Sequence, residues 1–343
     1  DGLTYIRTYR LAAPEDDLDP HIIRQEIRVE NAAGEAKRIP TLFLNVGLAT
    51  PLAADAYSMG EFLNFSYYTG EKMRYLKGKR FLGSNGFLGI GRREPQPEIY
   101  QEVNNLEWAA VKNQFFVSIL QEILPEGGLS RAKSIFASSV DLEDGERRNK
   151  EIGIRGNLGF ELGVLAGGES TILGTRYYVG PKDFIRLQAL GQKQEKLMQY
   201  WGPDLISQAL TVLMYGIHKL IPSWGASIVL MTLLIKLLFW PLTDRGMRSQ
   251  KINAVKMAPL QEEMKALREK YKDNPRAMQS AMADLYKKHD INPAAMMGGC
   301  IPMLIQIPIF IGLYGMLRVA PELRFSEFLW IDDLSQPDTI ATI

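Results

Sequence analysis

The sequence predicts a multidomain membrane protein: a β-sandwich followed by an α-helical transmembrane core that carries a helical hairpin. Three observations predict it. Period-two segments fill the first half, where Ile23, Ile27 and Val29 alternate with Arg24, Glu26, Arg28 and Glu30. Two long apolar runs, 224–243 and 300–320, lie in the second half. Some 20 residues rising about 1.5 Å each cover a hydrocarbon core of roughly 30 Å. Between the runs lies a polar, basic stretch, 244–293.

Composition excludes several function classes. The 343 residues carry a net charge of +1, so no global field attracts nucleic acid, and no nucleic-acid specificity is expected. The single cysteine, Cys300, forbids an internal disulfide and reads as a small packing residue at the start of an apolar run. His21, His218 and His289 are far apart, and no HExxH or CxxC spacing occurs. No metal centre, cofactor or catalytic constellation is expected. No signal peptide opens the chain, and both ends read as cuts in a longer protein.

Residues 1–185 read as the sandwich. Leu42, Leu44 and Val46 alternate like the first strand. EIGIRGNLGFELGVL and STILGTRYYVG flank Ala166-Gly167-Gly168-Glu169, which predicts two strands joined by a turn. The glycine-rich GSNGFLGIGRREP lacks the GxxxxGK[ST] pattern, and no strongly helical segment follows, so it reads as a surface loop.

Residues 186–221 read as a linker and an amphipathic helix. The stretch 184–200 is rich in Gln, Lys and Leu and suits a helical linker. In 203–221, Leu205, Ile206, Ala209, Leu210, Leu213, Ile217, Leu220 and Ile221 recur at helical spacing. Asp204, Ser207, Gln208, Thr211, His218 and Lys219 fall largely between them. Directly before a span, such a helix suits the membrane interface; packing on the sandwich is the other reading.

A first transmembrane helix is expected over 222–243 and a second over 298–320, with Pro308 kinking the second and Gly312 and Gly315 allowing close helix approach. The stretch 244–293 holds eleven basic residues against seven acidic ones, whereas 321–343 is mainly acidic. The excess of Lys and Arg places 244–293 in the cytoplasm and the sandwich on the far side, the periplasm of a two-membrane bacterium. The cytoplasmic piece reads as a helical hairpin. Leu260, Met264, Leu267 and Tyr271 stripe one arm. Asn274 caps the next with Pro275 at its first position, and Met278, Ala281, Met282 and Leu285 stripe it. Five methionines, Met247, Met257, Met264, Met278 and Met282, suit either an adaptable binding surface or the hairpin seam.

Lys236 is the only charge in 224–243. A lysine at the centre of a spanning helix costs about 2.5–3.5 kcal/mol on insertion scales. It persists when it faces a cavity or a protein interior, or when its stem reaches toward the headgroups. It lies about 10 Å from the cytoplasmic end, and Gln306 lies about 9 Å into the second run. Thr232 stands one turn above Lys236 on the same face. The three would line one pocket if the helix faces meet; Gln306 also suits interhelical hydrogen bonding.

At these residues the chain resembles the YidC-type membrane protein insertases of the Oxa superfamily, in the Gram-negative form with a large periplasmic domain. The stretches that carry the resemblance are WGASIVLMTLLIKLLFWPLT, KMAPLQEEMKALREKY, DINPAAMMGGCIPMLIQIPIFIGLYGML and ELRFSEFLWIDDLSQPD, with WAAVKNQFF and RYYVGPKD upstream. The resemblance implies a supersandwich-like periplasmic domain and a core of five helices around a hydrophilic groove, open to the cytoplasm and to lipid. It implies a bacterial inner-membrane protein that is not an enzyme. A groove cation attracts polar or acidic segments of nascent membrane proteins, whose helices then slide into lipid without nucleotide hydrolysis. The partners implied are nascent chains, the Sec translocon, membrane lipid, and, through the hairpin, the ribosome and the signal recognition particle receptor. Residue by residue, Lys236 takes the groove-cation position, Thr232 the substrate-facing position beside it, and Gln306 the glutamine of the LIQxP motif.

Two departures stand out. The cation is lysine where the family usually has arginine; lysine can give up its proton on burial and makes no bidentate contacts. The link Ala294-Ala295-Met296-Met297 is longer than the family's usual one. Two other readings compete. A membrane-anchored sugar-binding protein would use the sandwich, yet His21 is the sole imidazole in its first 200 residues. A two-span receptor would need a recognisable signalling domain, which the basic hairpin does not resemble.

Overall fold

The computed structural model describes residues 2–12, 19–52, 61–83, 92–124, 128–142, 152–257, 260–272, 274–289 and 301–336. Most of the glycine-rich loop, Cys300 and the 294–297 link lie outside them. The chain divides into two compact units, one built on Asp1–Gln199 with Val319–Arg324, the other on Tyr200–Arg318 with Phe325–Ser335.

The first unit is sandwich-like. Its strands are β1 (Leu3–Leu11), β2 (Ile22–Asn31), β3 (Lys37–Arg38), β4 (Leu42–Ala49), β5 (Asn64–Tyr68), β6 (Met73–Lys77), β7 (Glu98–Glu102), β8 (Trp108–Lys112), β9 (Phe116–Glu122), β10 (Ala132–Asp141), β11 (Ile152–Phe160), β12 (Val164–Leu165) and β13 (Ser170–Pro181). One sheet runs β1-β2-β13-β9-β8-β5-β6, a second β4-β11-β10-β7, and β3 pairs with β12. A single apolar cluster joins the sheets. Ile27, Val29, Phe65, Val111 and Leu120 come from one side and Leu44, Val46, Ile135, Ile154 and Leu158 from the other. Burying each such side chain contributes about 1.5–3 kcal/mol. Gly156 stands where a Cβ would strike the Phe65 ring, so its lack of a side chain lets the sheets close up.

Strand β2 shows the expected alternation, with Arg24, Glu26 and Arg28 outside and Ile27 and Val29 fully buried. Its inward row also includes two amides, Gln25 and Asn31. Asn31 is satisfied there: its amide donates to the carbonyls of Glu35, Leu165 and Ala166, and its Oδ1 accepts from the Ala33 N–H. A buried amide with full partners costs little. The turn at 166–169 forms as expected, with Gly168 at φ 79°. The strands it separates do not pair, however. β11 joins the four-stranded sheet and β13 the seven-stranded one, so the connection crosses between sheets.

The stretch expected to be a helical linker is instead part of this unit, which runs to Gln199 rather than ending at 185. Besides the short helix α1 (Gly78–Leu82), the unit has helix α2 (Phe184–Leu190), capped by Asp183, whose carboxylate accepts from the Arg186 N–H, and ended by Gly191 at φ 81°, after which Gln192 and Lys193 are also left-handed. Leu187, Leu197 and Met198 are buried. Side chains from successive strands hold the stretch down. Arg176 of β13 donates to the Leu190 carbonyl at 3.2 Å. Gln121 of β9 accepts from Gln194 at 3.1 Å, and Trp108 of β8 donates to the Gln192 carbonyl at 3.0 Å. Asn64 of β5 and Lys112 of β8 both donate to the Gln199 Oε1, at 3.1 and 2.7 Å, and Tyr75 of β6 donates to the Lys196 carbonyl at 3.0 Å. The glutamines that suggested a solvated helix pair with polar groups of the sheet.

The second unit is helical: α3 (Asp204–His218), α4 (Trp224–Met257), α5 (Gln261–Lys270), α6 (Pro275–Lys288) and α7 (Ile301–Val319). Helix α3 does not bury its whole apolar stripe. Ser207, Leu210, Thr211, Met214 and Ile217 are buried, whereas Leu205, Val212, Leu213 and Leu220 are exposed. The two hydroxyls are inside because they find partners. Ser207 Oγ donates to the Gly312 carbonyl at 3.0 Å, and Thr211 Oγ1 lies 3.1 Å from the Tyr200 hydroxyl. Gly312 and Gly315 of α7 permit this approach: a Cβ at Gly312 would meet Ile206, and one at Gly315 would meet the Trp201 backbone.

In the hairpin, Leu260, Met264 and Leu285 form a small core with Met257, Leu267, Met282 and Tyr286 against it. Asn274 caps α6 by accepting from the Ala277 N–H, with Pro275 at the first helical position as expected. Tyr286 replaces Met278 in the seam; its hydroxyl lies 3.7 Å from Met264 Sδ.

Candidate functional site: a cleft between two apolar helices

Helix α4 begins where Ser223 Oγ accepts from the Ala226 N–H. It is expected to stop near Thr243 but continues to Met257. Hydropathy marks where apolar side chains end; it does not mark where the helix ends. Asp244 and Arg248 pair at 2.9 Å one turn apart and support the continuation. Pro241 sits inside the helix, which neighbouring backbone adjustments in an apolar helix tolerate.

The stretch Trp224–Arg248, 25 residues, is the one helix among the described residues long and apolar enough to cross a membrane. Its flank bears exposed Val229, Leu233, Leu237, Leu238 and Trp240. Leu304–Val319 is a shorter apolar helix. Apolar surface left open along a helix of this length suits lipid as the solvent.

A cleft of about 280 Å³ opens between α4 and α7. Lys236 and Gln306 both line it, with Phe239, Trp240, Thr243 and Asp244 among its walls. Both residues are exposed, so the ammonium is placed among apolar walls without being enclosed. Thr232 is not among the lining residues; its hydroxyl donates to the Val229 carbonyl at 2.8 Å. The structure therefore brings two of the three expected site residues together and leaves the third one turn away. Trp240, Thr243, Asp244 and Met247 line the cleft without having been singled out for it. Their spacing from Lys236, at i+4, i+7, i+8 and i+11, is the helical signal that could have found them. No group of three or more side chains suited to holding a metal ion forms among the described residues.

Chemically, the cleft offers a cation, an amide with both donor and acceptor, and an aromatic wall. It can hold a polar or acidic group beside exposed apolar surface.

A sandwich-like unit, an apolar helix of spanning length and a basic helical hairpin together define a membrane protein. Residues 216–343 match the family model "60Kd inner membrane protein". The membrane protein insertase YidC of Francisella tularensis subsp. mediasiatica is 32% identical over 345 residues, covering 98% of this chain and 56% of the relative. That of Burkholderia lata is 29% identical, covering 98% and 54%. That of Herminiimonas arsenicoxydans is 39% identical over 179 residues, covering 52% and 30%. The chain belongs to the YidC/Oxa family of inner membrane proteins. It spans about half, or less, of the length of the curated relatives it matches. A solved structure of an aldose 1-epimerase candidate from Escherichia coli K12 aligns with 11% identity and a TM-score of 0.29, covering 53% of this chain and 66% of that one. A likeness at that level carries no argument for sugar chemistry.

Proposed function

We propose that this protein inserts nascent proteins into the bacterial inner membrane and helps them fold, alone or with the Sec translocon. The observation that carries the proposal is the cleft: Lys236 and Gln306, seventy residues apart, line one opening between two apolar helices. A polar segment of a substrate enters the cleft and pairs with the Lys236 ammonium, while its apolar segment lies against the exposed flank of α4. Transfer of that segment into lipid then supplies the driving force, roughly 0.8 kcal/mol per buried CH₂. No step requires a nucleotide or a covalent intermediate.

In this reading the first unit is the periplasmic, supersandwich-like domain, α4 and α7 are two spans of a multi-pass core, and the intervening hairpin is cytoplasmic. The eleven basic residues of 244–293 support that orientation. The hairpin is then the surface available to the ribosome or the signal recognition particle receptor. Thr232 is kept as a neighbour of the substrate path on the strength of the family resemblance.

The test is insertion of a Sec-independent substrate in cells depleted of their own insertase. Lys236→Glu abolishes insertion and Lys236→Arg preserves it. Normal insertion by the Glu variant would remove the cation from the mechanism. Crosslinking from positions 232 and 306 to a stalled nascent chain reports which wall the substrate touches.

A further inference from the structure

The cleft contains a second charge that the insertase reading does not use. Asp244 lines it together with Lys236. The two stand on one helix with Trp240 midway, in four-residue steps that hold one face. Their backbone positions are eight residues apart, about 12 Å along the helix axis. Within the described residues Asp244 has one ion-pair partner, Arg248, at 2.9 Å, and the Arg248 side chain is 76% exposed. An exposed pair of this kind is weak and exchanges readily with another cation.

We propose that Asp244 is a specificity-determining residue that receives the basic residue flanking a substrate's membrane segment. This inference rests on the insertase reading. The cleft presents a cation toward the apolar middle of α4 and an anion toward its polar end. A segment entering with an acidic or polar group beside Lys236 and a lysine or arginine beside Asp244 meets opposite charges at both points. The reversed segment meets like charges at both. Membrane segments keep their basic flanks on the cytoplasmic side, so the pair favours the orientation that the finished protein adopts. The spacing is also selective: about 12 Å corresponds to eight residues of helix or about four of extended chain.

The experiment uses the intact protein and a single-span substrate with one acidic residue. A flanking position eight residues away, toward the cytoplasm, carries Lys, Ser or Glu. The readout is the ratio of Lys-flank to Glu-flank insertion, which a general loss of protein leaves unchanged. Asp244→Lys lowers that ratio roughly fivefold or more, and Asp244→Asn lowers it by less. The Ser-flank substrate supplies the reference level within each variant. Arg248→Ala keeps the ratio or raises it, because it frees the carboxylate. An unchanged ratio in both Asp244 variants overturns the inference, as does an Arg248→Ala ratio as low as that of Asp244→Asn. Lys236→Glu in the same assay separates the two readings. If it inserts all three substrates normally, the groove-cation reading fails. If it blocks insertion while the Asp244 variants leave the ratio unchanged, only the present inference fails.

Discussion

Two buried lysines of the sandwich-like unit contrast with one exposed lysine of the helical unit. In the sandwich-like unit Lys112 and Lys182 are fully buried. Lys112 donates to the Gln199 amide and lies 5.9 Å from the centre of the Tyr75 ring; Lys182 lies over Phe62. In the helical unit Lys236 is exposed and stands among apolar side chains in an open cleft. A lysine that is enclosed and hydrogen-bonded to its own chain is committed to structure. A lysine held open beside apolar walls keeps its charge available to something else. The contrast separates architectural cations from ligand-facing ones more sharply than residue type or local sequence does.

The largest expected effect lies on the architectural side. Lys112→Ala removes a fully buried stem and takes away one of the donors, Lys112 and Asn64, that the Gln199 oxygen accepts from. It destabilises the first unit by about 2–5 kcal/mol, as large-to-small changes in packed interiors do. Urea unfolding of residues 1–199 measures it, with Trp108 as the sole tryptophan reporter. The same lysine gives the unit a pH dependence. Burial first, and then the Lys182 and Lys77 charges, hold its amine well below the usual lysine range. Between that lowered value and about pH 10.4 the unfolded chain binds more protons than the folded one, so stability rises with pH. Conversely it is lost as pH falls toward the folded value. Burial pushes the Tyr177 hydroxyl up to about 12, which reverses the trend above pH 10. Lys112→Met therefore flattens the rise over pH 8–10 and leaves the fall above pH 10 in place. A rise that survives in Lys112→Met assigns the effect to other groups.

A smaller effect belongs to the helical unit. At Gly315 an added Cβ would strike the Trp201 carbonyl oxygen, and backbone yields less readily than a side-chain tip. Gly315→Val forces the segment at Trp201 off α7 and costs about 1–3 kcal/mol. The loss appears as a lower thermal midpoint in detergent and a changed Trp201–Tyr314 contact, now an edge-on pair at 6.0 Å. Gly216 of α3, with open space around it, serves as the control position.

Much of this arrangement was legible in the sequence where a strong periodicity met a single environment. The alternation in β2, the Asn274–Pro275 cap and the small-residue contacts of Gly312 and Gly315 follow from local rules. What was not legible depended on tertiary partners. Ser207 and Thr211 read as a polar face of α3, yet they are buried because Gly312 and Tyr200 complete their hydrogen bonds. The 184–200 stretch read as a linker because its glutamines look solvated, whereas the sheet supplies their partners. At the cleft, Lys236 and Gln306 announced themselves as polar groups in apolar runs. Asp244 was hidden by the boundary drawn at Thr243, which split a continuous helix at a change of hydropathy.

The smallest structural effect sharpens the comparison most. Lys236→Met exchanges an exposed ammonium for an unbranched apolar side chain of similar length. Among the described residues the Lys236 side chain makes no hydrogen bond or ion pair, so the substitution orphans no partner there. Its apolar neighbours Phe239 and Trp240 accept the new side chain readily. The thermal midpoint in detergent is expected to hold or rise, whereas Lys112→Met removes a hydrogen bond that Gln199 accepts. Insertion of a substrate with an acidic segment is expected to fall in Lys236→Met despite the intact fold. A lowered midpoint there would make Lys236 an architectural lysine like Lys112 and Lys182, and the distinction between the two units would collapse. An intact midpoint with lost insertion assigns the cation to the substrate, since no contact within the described chain then accounts for the loss.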